Sequence, residues 1–311
     1  MKDLATQVAA TAEICSNALK TPPLVRTAER IEQVSQALGS TESAVRSLTV
    51  SRNCKADLSA VAQKAGVEED LTSACLQRIL LLRTALQNLQ KVAELPVEAS
   101  VKALICEEFR FFATPTEREY QLFAPDAYSF VALCKIALLE RFPAGQFHWE
   151  ISGFPRSWLF KVSPADLPKL LCFLAVEFGG LSPCFVPHMA TRRKNPLMII
   201  EGEADRSWFR MAASAQLWSG IRGLVSCSWL HSRDTFRVSP HLSFINKPFV
   251  ESGALITTRG KADESEGYMA GSAQRRELYR AGKFSPTMGL VLWSRQQMRG
   301  WAHSHPELSA H

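Results

Sequence analysis

The sequence predicts an α/β fold, a mixed sheet with flanking helices, preceded by an all-α helical N-terminal region. Three observations carry this. None of the 28 aromatics (17 Phe, 7 Trp, 4 Tyr) precedes Phe109, and every Trp and His lies beyond Gly145. Of the 16 Gly, only Gly39 and Gly66 come before Gly145. The apolar pattern is helical up to Pro96 and thereafter mixes with two-residue alternation. At 311 residues the chain exceeds the ~150 residues of one domain. The expected division is 1–95, a helical bundle or coiled-coil-like region, and 96–311, an α/β domain.

Residues 1–95 read as helices over 3–19, 27–38, 41–50, 57–65 and 69–94. Ala, Leu, Gln, Glu and Arg dominate them. Thr27 caps the second, Gly39 ends it, and Gly66 ends the fourth. In 69–94, Leu71, Cys75, Ile79, Leu82, Leu86 and Leu89 form one apolar stripe, a seam for homo-oligomer formation. Beyond Pro96 the expected helices are 97–112, 126–141, 165–178, 205–219, 240–251, 272–281 and 295–304. The expected strands are 147–151, 157–162, 183–188, 197–203, 223–230, 254–259 and 287–293. Phe147-His148-Trp149-Glu150-Ile151 alternates apolar and polar, as a half-buried strand does.

Composition narrows the class. With 46% hydrophobic and 21% charged residues, low-complexity disorder and a small disulfide scaffold are excluded. The net charge of +6 permits anionic partners without demanding them. The eight Cys are scattered, with no C-x-x-C, which fits buried reduced thiols better than disulfides or zinc. No apolar run approaches the ~18 residues of a membrane span, and no secretory signal is visible, so the expected setting is cytoplasmic without membrane contact.

Two regions carry candidate chemistry. Val34–Gly39 and Val61–Gly66 form a weak repeat, each a helix end followed by a turn, similar to a helix-turn-helix pattern. In the first copy Val45 docks inward, while Thr41, Ser43 and Arg46 face outward with Arg52 beyond. This makes 27–55 an alternative DNA-binding or assembly segment. The second region is the end of strand 223–230. There His231, Asp234, Arg237 and His241 crowd into eleven residues. His231 or His241 with Asp234 has the groups of a general base and its orienter. The types also suit a metal, although no metal-ligand spacing is present. A nucleophilic elbow is absent, because no G-x-S-x-G occurs and Cys227 lies inside a strand. The same residues also serve as helix caps and loop bridges. Arg192-Arg193-Lys194 adds a basic loop.

The order strand–strand–helix–strand–strand–helix–strand–helix–strand over 146–259 is similar to the acyl-CoA-dependent N-acetyltransferase (GNAT) superfamily. The resemblance implies that strand 197–203 and helix 205–219 hold the coenzyme A pyrophosphate at the helix N-terminus. The loop Glu203-Ala204-Asp205-Arg206-Ser207 departs from the glycine-rich pattern and brings two carboxylates. The expected function is a small-molecule group transferase, acyl-CoA-dependent by resemblance, with a helical accessory region. Catalysis is assigned to His231, Asp234 and His241, and ligand binding to Glu203, Arg206 and Arg237. The implied donor is a coenzyme A thioester.

Overall fold

A computed structural model describes residues 3–21, 24–25, 40–51, 56–57, 59–60, 63, 69–115, 128–190, 199–261 and 272–309. They divide into two compact units. The first runs to Pro143, apart from 96–98; the second holds 96–98 and the described chain from Ala144 onward. An α/β fold with an N-terminal helical region is therefore present.

The first unit contains α1 (Leu4–Leu19), α2 (Thr41–Val50), α3 (Glu69–Asn88), α4 (Ala99–Ala113), α5 (Tyr128–Ala137) and the short strand β1 (Arg141–Pro143). The predicted helix 69–94 divides at Asn88, after which Leu89–Glu94 tightens into a 3-10 helix. Asn88 explains the change. Its Nδ2 donates to Thr84 O and to Ala137 O, both at 3.1 Å, so the end of α3 is tied to the end of α5. Arg78 donates to Phe112 O and Ala113 O, meeting free carbonyls at the end of α4. Ser40 caps α2 by accepting from the Ser43 N–H.

Two expectations about this region change. In α3, Leu76, Ile79, Leu80, Leu81, Leu82 and Ala85 are all at most 2% exposed. The helix packs against α1, α2, α4 and α5. Each buried Leu contributes about 1.5–3 kcal/mol. Of the predicted stripe, Ile79, Leu82 and Leu89 are spent inside the unit, while Cys75 and Leu86 stay half-buried. The compositional break at 95 also differs from the compact division at 143. Phe109, Phe112 and Phe130 are buried in helices of the first unit.

The second unit contains β2 (Phe147–Ser152), α6 (Leu167–Val176), β3 (Cys184–Met189), α7 (Glu201–Leu217), β4 (Gly223–Ser228), α8 (Arg233–Val238), α9 (Lys247–Glu251), β5 (Leu255–Lys261), α10 (Ala273–Arg280), β6 (Thr287–Ser294) and α11 (Arg295–Ser304). Its strands are ordered β2-β3-β4-β6-β5. β2/β3, β4/β6 and β5/β6 are antiparallel, and β3/β4 is parallel. On one face, Val225, Leu255, Leu290 and Leu292 pack with Leu170 and Leu174 of α6. Alternation sends Trp293 to the other face. There Phe147, Trp208, Phe249 and Trp293 form a continuous aromatic series with ring centroids 4.4, 5.0 and 5.2 Å apart. α7 and α9 cover this face through Trp208 and Phe249.

Four predicted elements are corrected. Residues 157–162 are not a strand. Pro155 leads into a 3-10 helix, Arg156–Lys161, and β3 takes the place beside β2. Phe160 is 89% exposed, so its β-like composition is not matched by burial. The described part of 197–203, from residue 199 onward, is not a strand either, and 197–198 lie outside the described residues. α7 begins at Glu201, and Glu201 and Glu203 sit in its first turn, where acidic groups favour a helix start. The predicted helix 126–141 ends at Ala137, and Leu139 takes φ 57° ahead of β1. The predicted helix 240–251 divides into a 3-10 helix, Pro240–Asn246, and α9. Among the described residues, no helix is long and apolar enough to cross a membrane.

Candidate active site

The β3/β4 pair differs from the β2/β3, β4/β6 and β5/β6 pairs. It shares one register pair, Phe185↔Leu224, whereas β2/β3 and β4/β6 each run over six. The Arg222 N–H also donates to Pro183 O at 2.9 Å, so the strands meet at their amino ends. Towards their carboxyl ends, Val186–Met189 and Val225–Ser228 carry no further register pair with each other among the described residues. Strand edges that meet at a single register pair and then carry no further ladder offer backbone donors and acceptors to a ligand. Ligands in open α/β sheets gather at the carboxyl ends of strands, where this gap lies.

Different polar groups flank the two faces of the gap. On the α6 face, strand alternation brings Glu150 of β2 and His188 of β3 together. His188 Nε2 lies 3.5 Å from Glu150 Oε1, and the two side chains are 26% and 15% exposed. On the same face Arg259 of β5 donates to Cys227 Sγ at 3.2 Å and lies over the Trp158 ring at 4.9 Å. A carboxylate-oriented imidazole, a guanidinium and an aromatic wall therefore stand near the opening.

The α7 face holds a buried relay. Ser226 Oγ lies 2.7 Å from His231 Nε2, and His231 Nδ1 lies 2.7 Å from Asn246 Oδ1. An amide oxygen only accepts, so Nδ1 carries the hydrogen and Nε2 accepts from the Ser226 hydroxyl. Asn246 Nδ2 also donates to His231 O. His231 is 3% exposed, and burial pushes its pKa down to about 4, against the opposing pull of the Asn246 hydrogen bond. Gly289 is required here, since a Cβ would collide with the main chain of His231. A neutral imidazole in this setting ties the turn after β4 to the 3-10 helix Pro240–Asn246.

The residues proposed from sequence take separate roles. Asp234 is not bonded to His231; it accepts from Thr287 Oγ1 at 3.0 Å and lies 4.0 Å from Arg237. The Thr287 and Ser232 hydroxyls are themselves 2.6 Å apart. His241 is exposed on the 3-10 helix Pro240–Asn246. His231, Asp234 and His241 thus share no hydrogen bond; Asn246 supplies the orienting oxygen expected from Asp234. Glu203 accepts from Gln146 Nε2 at 3.1 Å, which fixes the start of α7, and Arg206 is half-buried on the same helix. Arg192, Arg193 and Lys194 lie outside the described residues.

The alternative segment changes more. Thr41 is 5% exposed, so it cannot face a groove as expected. Ser43 is exposed and bonded to the Ser40 cap. Arg46 pairs with Glu42 at 3.1 Å and also with Glu140, so its charge is already met by carboxylates. Arg52, the second repeat hexamer apart from Gln63, and most of 27–55 lie outside the described residues.

Of the described cysteines, Cys15, Cys106, Cys134 and Cys184 are buried, and Cys75 and Cys227 half-buried. Cys172 is exposed, against the expectation of burial. None of the seven forms a disulfide, and burial pushes the thiols of Cys15 and Cys184 up to about 12. Among the described residues, no group of three or more His, Cys, Asp and Glu could hold a metal. Comparison with known proteins finds no matching family model, no matching curated protein and no matching solved structure.

His188 and Glu150 were missed by sequence reading. They lie 38 residues apart, and only strand register joins them. The legible signal was the alternation in 147–151, which puts His148 and Glu150 on one strand face.

Proposed function

We propose that the second unit is a group transferase moving an acyl group from a coenzyme A thioester to an amine, in a cytoplasmic setting. The observation that carries this reading is the β3/β4 pair, closed at Phe185↔Leu224 and without a ladder beyond. An acyl-pantetheine arm is thin and rich in amides, so it can pair with strand edges that face the gap. The sheet order β2-β3-β4-β6-β5, with one parallel pair bridged by α7, is also similar to the element order of the N-acetyltransferase superfamily.

In the proposed reaction the amine nitrogen attacks the thioester carbonyl. The C–N bond forms, the C–S bond breaks, and coenzyme A leaves as thiolate. The amine proton passes to the imidazole of His188, which Glu150 orients. Strand N–H groups facing the gap polarise the carbonyl oxygen. His231 positions the wall of the site and does not exchange protons, because a catalytic base works best with a pKa near the operating pH. Glu201 and Glu203 occupy the first turn of α7, so the reading rests on the strand gap and not on phosphate capture at that helix end.

The test is calorimetric titration of the full chain with acetyl-coenzyme A, followed by thiol release with a panel of primary amines. Saturable binding and turnover are expected, with His188→Gln retaining binding and losing roughly 100-fold or more in turnover. Absence of binding at millimolar acetyl-coenzyme A overturns the acyl-transfer reading. Full turnover in His188→Gln removes His188 as the base.

A further inference from the structure

At the opposite end of β4, where Arg222 enters the strand, the surface forms a concavity of about 610 Å³. Arg222, Arg295, Arg299, Gln296, Gln216 and Glu177 supply its polar lining. The volume falls within the range of small-molecule sites, ~300–1,000 Å³. Three guanidinium groups face one carboxylate, and the N-terminus of α11, which carries Arg295 and Gln296, adds positive potential.

The three arginines differ in what they already do. Arg295 Nε donates to Ala215 O and its Nη2 to Gln216 O, both at 3.0 Å, so it builds the wall and caps the end of α7. Its backbone N–H donates to Arg222 O at 2.8 Å, which locks α11 to the start of β4. Arg222 and Arg299 are exposed and make no side-chain hydrogen bond or ion pair with another described residue. Neither cation therefore has a structural partner, and both line the same concavity. Gly179 adopts φ +72°, the left-handed turn that carries the chain past Arg222.

We propose that this pocket binds a phosphoryl group of a small soluble ligand, a phosphomonoester or a diphosphate. Two unengaged guanidinium forks present planar sets of donors, which match the several oxygens of one phosphoryl group. A net excess of two positive charges in the lining balances a dianion. The enclosing turns at Gly179 and Gly220 favour a compact ligand over an extended polyanion. The site stands at the amino end of β4, whereas the acyl-transfer gap lies at its carboxyl end, so the two assignments are independent.

The experiment measures thermal shift and calorimetric binding of pyrophosphate to the full chain, with sodium chloride added to matched ionic strength. A saturable shift beyond the chloride control is expected. Arg222→Gln and Arg299→Gln each weaken it roughly tenfold, and the double variant abolishes it. Because neither side chain holds the fold, the ligand-free melting temperatures of these variants stay at the wild-type value. Equal shifts with pyrophosphate and chloride overturn the proposal, as does undiminished binding in the double variant. The double variant is also titrated with acetyl-coenzyme A. Retained binding supports two separate sites, and its loss contradicts the separation.

Discussion

His188 lies in β3 and His231 follows the neighbouring parallel strand β4, yet they belong to different chemistry. His188 projects from β3, remains 26% exposed in its side chain and faces a carboxylate. His231 follows β4, is 3% exposed and is bonded on both ring nitrogens to neutral partners. Surroundings, not residue type, separate them. The first has a charged orienter and access to solvent, as a proton acceptor needs. The second has neither and instead satisfies the polar groups of a turn crossing over Gly289.

The comparison predicts opposite outcomes on substitution. The largest effect on activity falls on His188, as set out above, while the stability of His188→Gln stays within about 1 kcal/mol of wild type, as for a half-exposed site. For His231→Ala the order reverses. Ser226 and Asn246 lose their buried partner, so stability falls by about 3 kcal/mol. Urea unfolding measures this, and a loss under about 1 kcal/mol would show that the relay is dispensable.

Acid titration sharpens the contrast. His231 is held near a pKa of about 4 in the folded chain, against 6.5 for a free imidazole. Between those values the unfolded chain binds a proton that the folded chain refuses. The His231 contribution is therefore complete above pH 6.5 and is lost as pH falls from 6.5 towards 4, by roughly 3 kcal/mol in all. The wild-type minus His231→Gln difference in unfolding free energy isolates this window; a flat difference across it refutes the burial argument. The smallest effect is expected for Asp234→Ala. Its carboxylate is 37% exposed and holds only Thr287 and a distant Arg237, so about 1 kcal/mol or less is lost.

Some of this was legible in the sequence. Alternation in 147–151, the apolar runs near 223 and 287 and the β-branched run Ile256-Thr257-Thr258 each mark a real strand, because the sheet selects those side chains directly. Ser294 and Gln297 mark the start of α11, where both halves of a capping box form. Misreadings came where composition and burial disagree. Arg156–Lys161 is aromatic but largely exposed, and Ile199-Ile200 leads into a helix start. At the site, proximity in sequence pointed to Asp234 as the partner of His231. The actual partner, Asn246, arrives from fifteen residues away through the 3-10 helix Pro240–Asn246. The Glu150–His188 pair depends on β2/β3 register, which short-range patterning does not reveal.

The central claim is that the facing edges of β3 and β4 form the ligand slot. Amide hydrogen exchange, with and without acetyl-coenzyme A, tests it most directly. Rapid exchange is expected in the free protein at those amides of Val186–Met189 and Val225–Ser228 that point into the gap and away from the β2 and β6 ladders, with marked slowing there when acetyl-coenzyme A binds and no change in α1, α3 or α4. Exchange at those amides that is already slow and unaffected by acetyl-coenzyme A would contradict it.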